Sequence, residues 1–175
     1  DNTFPYKVYG GQQDNSSVII ASRNNMPGIT ERDWTFGAGC ESAFLAFDPE
    51  NPVLVYGGCY QGYIEVLNMQ TKESKDIQAY PSLNLAIEPR EMKYRFNWNA
   101  PIHLSPTERG TIYLGSQFLH RSRDQGQSWE RISPDLSTND PAKQQQEKSG
   151  GITVDNSAAE MHTTIYSISE SPQAA

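Results

Sequence analysis

Apolar residues in this chain come in runs of four to six, alternating or β-branched, and clusters of Gly, Pro, Asn, Asp and Ser separate the runs. That period of two predicts half-buried strands. Four runs fall in the middle of the chain, at 42–47 (SAFLAF), 53–57 (VLVYG), 63–67 (YIEVL) and 74–78 (SKDIQ). Four more follow at 100–104 (APIHL), 111–115 (TIYLG), 117–122 (QFLHRS) and 128–132 (SWERI). Three precede them, at 6–9, 18–22 and 33–36, and one trails at 163–169 (TTIYSIS). No segment carries the apolar stripe of an amphipathic helix. The best helix formers, 140–148 (DPAKQQQEK), are almost wholly polar.

The runs repeat. "FDPENPVLVYGG" (47–58) and "LSPTERGTIYLG" (104–115) both place Pro, then Tyr seven residues later, then Gly two after that. "PYKVYGG" sets Tyr9 and Gly11 in the same frame, so the tyrosines Tyr9, Tyr56 and Tyr113 recur at steps of 47 and 57. Such a period predicts an all-β protein of β-propeller blades, each a four-stranded antiparallel sheet. The blades would span 1–40, 41–99 and 100–160, with the first strand of a next blade in 161–175. About three blades fall short of the roughly four to eight of a closed propeller, so the chain is expected to be part of a larger one. Its partners would be the remaining blades of a parent chain or another subunit.

Composition narrows the function. The formal net charge of −7 argues against phosphate-driven nucleic-acid binding and against adsorption to anionic membranes. No run reaches the roughly 18 apolar residues of a membrane helix. With 13 glycines, 11 prolines and 9 tyrosines in 175 residues, the chain suits a turn-rich β protein. The two cysteines sit at the two ends of one predicted hairpin, whose turn is near residue 50. Cys40 and Cys59 therefore face each other at strand spacing, within the reach of a disulfide. A disulfide predicts export, to a periplasm, a cell surface or the extracellular space. Asn15-Ser16-Ser17 is a glycosylation sequon, relevant only in a eukaryotic secretory host.

"RSRDQGQSWE" (121–130) holds the most distinctive pattern, Ser122, Asp124, Gly126, Ser128 and Trp129. It falls at a hairpin tip. An Asp there can accept backbone N–H groups, a Gly suits positive φ, and a Trp opening the next strand can be buried. The pattern resembles the Asp box of BNR-repeat β-propellers, found in sialidases, sortilin-type (VPS10) domains and xyloglucan-cleaving glycosidases. That resemblance implies a structural loop on the rim, away from substrate. "YGGQQDNSS", "CESAFLAFDPENPVLVYGGCYQGYIEV", "KYRFNWNAPIHLSP" and "SGGITVDNSAAEMHTTIYSISESP" extend it over nearly the whole chain. They are similar to bacterial exported sortilin-like BNR-repeat proteins, often labelled glycosyl hydrolases.

Alternating strand directions sort the loops by face. The short turns and the Asp box share one face, and 10–17, 79–99 and 133–162 share the other, where function on a rigid scaffold usually sits. In 79–99, a period of two would put Tyr94, Phe96 and Trp98 on one side and Lys93, Arg95 and Asn97 on the other. Tyr94, Arg95, Phe96 and Trp98 are the candidate binding residues, against the alternative of buried aromatics beside solvated charges. The acids available for glycoside hydrolysis on that face are Asp14, Glu41, Glu91, Asp155 and Glu160. Sequence does not fix their separations, which decide that chemistry. His103, His120 and His162 have no metal-ligand spacing, and no cofactor fingerprint is present, so neither metal nor cofactor is expected. The sequence thus points first to an exported binding or scaffold module for a protein, peptide or glycan. An Asp-box glycoside hydrolase with paired carboxylates is the alternative, and a purely architectural role in a cell-envelope assembly is a third reading.

Overall fold

A computed structural model describes residues 1–41, 44–82, 84, 87–148 and 161–173. The fold is all-β, three antiparallel sheets with a few short 3-10 turns among the described residues. The first sheet holds β1 (Lys7–Gly11), β2 (Ser17–Ala21) and β3 (Trp34–Phe36). The second holds β4 (Leu45–Phe47), β5 (Leu54–Gly58), β6 (Ile64–Asn68) and β7 (Ser74–Asp76). The third holds β8 (Ile102–Leu104), β9 (Ile112–Gly115), β10 (Leu119–Ser122) and β11 (Glu130–Arg131). Within each sheet, strands pair with their sequence neighbours, so every sheet is a meander.

Alternation along the strands builds two cores. The register aligns Ala46, Tyr56 and Val66 on one face of the second sheet, and Ile102, Leu114 and His120 on one face of the third. These faces meet in the larger cluster, where Tyr56, Ile64, Ile112 and Leu114 are fully buried alongside Ile77 and Phe96. The opposite face of the second sheet carries Val55 and Leu67, which pack on Ile19 and Ala38 of the first-sheet region. Tyr9 stacks on Phe47 across that same boundary, with centroids 6.0 Å apart. The middle sheet is thus covered on both sides, and its edge strand β4 lies beside both β1 and β8. Gly57 permits a close approach: a Cβ there would stand 2.2 Å from the Ala38 carbonyl oxygen.

The Cys40–Cys59 disulfide forms at the expected end of the second sheet, with Cα atoms 4.9 Å apart. The outer face of the first sheet is open. Val8 and Phe36 are 57% and 66% exposed, beside half-buried Ile20 and Trp34.

One expectation is corrected. The segment 163–169 forms no strand. It makes one backbone bond to the third sheet, from the Ile165 N–H to the Ser116 carbonyl, and Thr163 at φ 59° breaks its extended course. It nonetheless runs alongside β8 in the same direction, since Glu170 N–H reaches His103 Nε2 and its carboxylate accepts from Thr107. The polar stretch 140–148 forms two 3-10 turns, Pro141–Gln144 and Gln146–Lys148, the first capped by Asp140 accepting from the Ala142 N–H.

Ile112→Ala removes a fully buried side chain between two sheets and is expected to cost about 3 kcal/mol. Val8→Ala, on the open face, should cost less than about 1 kcal/mol. Urea denaturation measures both. Reducing the disulfide, which closes a loop with sequence separation 19, should lower stability by about 3 kcal/mol in the same assay.

Candidate functional site

The two ends of the stacked sheets differ in chemistry. At one end the turns are closed on themselves. Asp48 accepts from the Glu50 and Asn51 N–H groups, Asn68 from Gln70 and Thr71, and Ser105 from Thr107 and Glu108. The β10–β11 turn belongs to this end. Asp124 Oδ1 accepts from Ser122 Oγ and the Ser128 N–H, both at 2.8 Å, and Oδ2 accepts from Ser128 Oγ at 2.6 Å. The Ser128 hydroxyl, then its N–H, then Ser122 pull the Asp124 carboxyl down to about 2. Gly126 has φ +88°, and a Cβ there would meet Ile77 at 2.6 Å. Trp129 Nε1 donates to the Ile77 carbonyl at 2.7 Å. The turn therefore spends its polar atoms internally and pins the third sheet to the exit of β7.

The other end is a layer of long connections. The 77–101 connection enters the core through Phe96, and Tyr94 is half-buried against His120 and Phe118, with centroids 4.6 and 5.9 Å away. Arg95 is 6% exposed. It donates from Nη2 to Asp135 at 3.1 Å and to Asn139 at 3.2 Å, and from Nε to the Thr163 carbonyl at 3.4 Å. Burial works against the Asp135 charge, but Ser137 hydrogen bonds and the Arg95 guanidinium outweigh it and hold the carboxyl below its usual range. Arg90 pairs with Glu88 and, at 2.8 Å, with Glu147, while Met92 packs on Met161. The two long connections thus form one layer. Arg95 and Asn97 are buried together with Phe96, because this segment lies between the sheet end and the 133–148 connection. Of the four candidate binding residues, Trp98 stays near the surface, half-buried and stacked on Tyr60 at 4.9 Å.

Among the candidate acids, Asp14 and Glu41 come together: the Asp14 N–H donates to Glu41 Oε2 at 2.6 Å. Glu91 is exposed in the 3-10 turn Pro89–Glu91, and no hydrogen bond or ion pair joins it to either. Asp155 and Glu160 lie outside the described residues. Among the described residues, no cluster of three or more His, Cys, Asp or Glu is placed to hold a metal.

The structure also shows residues that pattern reading missed. Gln117, just past β9, accepts from the Arg95 N–H at 2.7 Å and donates to the Lys93 carbonyl at 3.1 Å. Gln61, in the equivalent turn past β5, accepts from the Asn84 N–H at 3.0 Å. The signal was present as a Gln two or three residues after each Tyr-x-Gly frame. Tyr63 donates toward both Glu65 at 3.1 Å and Asp76 at 2.5 Å. Burial first, then the Asp76 bond, pushes its hydroxyl far above the usual range.

Comparison of the chain with family profiles, curated protein sequences and solved structures returns no match.

His120 is buried with Nε2 2.7 Å from Ser116 Oγ. Burial, then the Arg131 charge, pushes its imidazole down to about 4 from 6.5. The unfolded chain takes up this proton first, so the contribution is complete above about pH 6.5 and is lost as pH falls toward 4. Comparing urea stability at pH 7 and pH 4, the loss in the native protein should exceed that in His120→Gln by on the order of 3 kcal/mol.

Proposed function

We propose that the chain is a run of consecutive blades from an exported Asp-box propeller, and that it binds a protein, peptide or glycan through the end bearing the long connections. Four observations support the propeller reading: the meanders follow in chain order, β4 lies beside β1 and β8, the tail runs along β8, and the Asp-box turn docks on the neighbouring sheet. The open apolar face of the first sheet then takes a further blade, from a parent chain or another subunit. Export rests on the disulfide. No helix among the described residues is long and apolar enough to cross a membrane.

The observation that carries the binding reading is the contrast between the two ends. One end is self-satisfied turns. The other is a preorganised layer, held by Gln117 and the Arg95–Asp135 pair, that leaves the Tyr60–Trp98 stack at its surface. Rigid aromatic area beside polar groups favours recognition.

Glycoside hydrolysis is the second reading. One observation favours it: Glu65 and Asp76 share the Tyr63 hydroxyl. A shared hydroxyl brings two carboxylates into one place, the first requirement of paired-carboxylate hydrolysis.

Probing arrays of glycans and peptides separates the readings. Binding weakened about tenfold by Trp98→Ala, but unchanged by Asp124→Ala, is the expected result. Asp124→Ala should instead lower the urea midpoint, by less than Ile112→Ala. Hydrolysis of aryl glycosides that Glu65→Gln abolishes would establish the second reading and overturn the first.

A further inference from the structure

A cleft of about 640 Å³ opens at the loop end, between the segment leaving β11 and residues 161–166. Its size is that of small-molecule sites, roughly 300–1,000 Å³. Leu136 and Tyr166 stand at it, 57% and 70% exposed. Asn97, Thr138, His162 and Thr164 supply polar side chains. We propose that this cleft binds a neutral glycan chain, with the Tyr166 ring as its stacking platform. The proposal rests on the loop end being the binding end and names the ligand class it takes.

Charge decides the class. The chain carries −7, yet no Asp, Glu, Lys or Arg is among the described residues lining the cleft. The cation behind it, Arg95, is buried and bonded through Nη2 to Asp135 and Asn139 and through Nε to the Thr163 carbonyl. Among the described residues, an anionic ligand finds no exposed guanidinium at the cleft, and a cationic one finds no carboxylate lining it. A peptide laid down by strand addition needs a free strand edge, whereas this wall is irregular backbone and side chains.

The remaining chemistry suits a pyranose. Such a ring shows a face of C–H groups, which an aromatic side chain covers, and a rim of hydroxyls that each need a donor or acceptor. Tyr166 stacks on no other ring among the described residues, so its face is open. The Thr138 and His162 side chains make no hydrogen bond to any described residue and are exposed at the rim. The floor is fixed. Thr163, a β-branched residue at φ 59°, is held there by Arg95 through its carbonyl.

Isothermal titration with neutral hexasaccharides tests this: β-1,4-glucan, xylan, mannan and α-1,4-glucan fragments, with oligogalacturonate and a peptide panel as comparators. The expected result is saturable binding of at least one neutral oligosaccharide and none of oligogalacturonate. Tyr166→Ala should weaken it about tenfold and Thr138→Ala a few-fold, with urea midpoints unchanged because both side chains are exposed. Absence of neutral-glycan binding at millimolar concentration overturns the proposal, as does Tyr166→Ala binding like the native protein. If Trp98→Ala abolishes binding and Tyr166→Ala does not, the cleft is wrong and the loop-end reading stands. Peptide binding alone, lost in Tyr166→Ala, overturns the glycan class and keeps the loop end. If neither glycans nor peptides bind, both readings fall.

Discussion

Burial of the second sheet on both faces is the constraint from which the rest of the molecule follows. A sheet covered on one side alternates apolar and polar residues, whereas β5 and β6 place apolar groups on both. Tyr56 and Ile64 face the third sheet, and Val55 and Leu67 face the first. Each such side chain contributes roughly 1.5–3 kcal/mol on burial, so neither neighbouring sheet can move away cheaply. The short strands β3, β4, β7, β8 and β11 would not persist as isolated ribbons. They are ordered because stacking orders them.

Stacking also fixes the two ends. Antiparallel meanders return every second connection to the same end, so the tight turns after β4, β6, β8 and β10 gather at one end and the connections that leave β7 and β11 at the other. At the turn end, Asp48, Asn68, Ser105 and Asp124 satisfy backbone N–H groups locally. At the loop end, no strand ladder satisfies the described residues between 79 and 99, and short turns and side chains do so instead. Gln117 and Gln61 supply backbone-like partners, and Arg95 threads between three segments. Burial of that guanidinium is tolerable because Asp135, Asn139 and a carbonyl surround it. The outcome is an irregular yet fixed surface, the condition for binding without a large ordering cost.

Much of the strand layout was legible, because alternation in runs such as VLVYG and TIYLG is strong and bounded by turn residues. The disulfide was legible because hairpin register is arithmetic. The tail was misread as a strand: TTIYSIS has the pattern, but a ladder also needs a partner edge and a straight backbone, and Thr163 denies the second. Arg95, a candidate binding residue or a solvated charge on a period of two, is instead buried. The sequence does not show that a second loop, reaching Arg95 through Asp135 at a separation of 40 residues, covers the other side. The cleft was illegible for the same reason, since its walls come from 97, 136–138 and 161–166, which only the fold brings together.

Native-state hydrogen exchange tests the central claim, that the stacked sheets hold the loop end as a preformed surface. The account predicts slowest exchange at Val55–Gly57, Ile64–Leu67 and Ile112–Leu114. The Arg95 amide, bonded to Gln117, should exchange far more slowly than the exposed 12–15 turn. Slow exchange in the sheets together with an Arg95 amide as fast as that turn would contradict it.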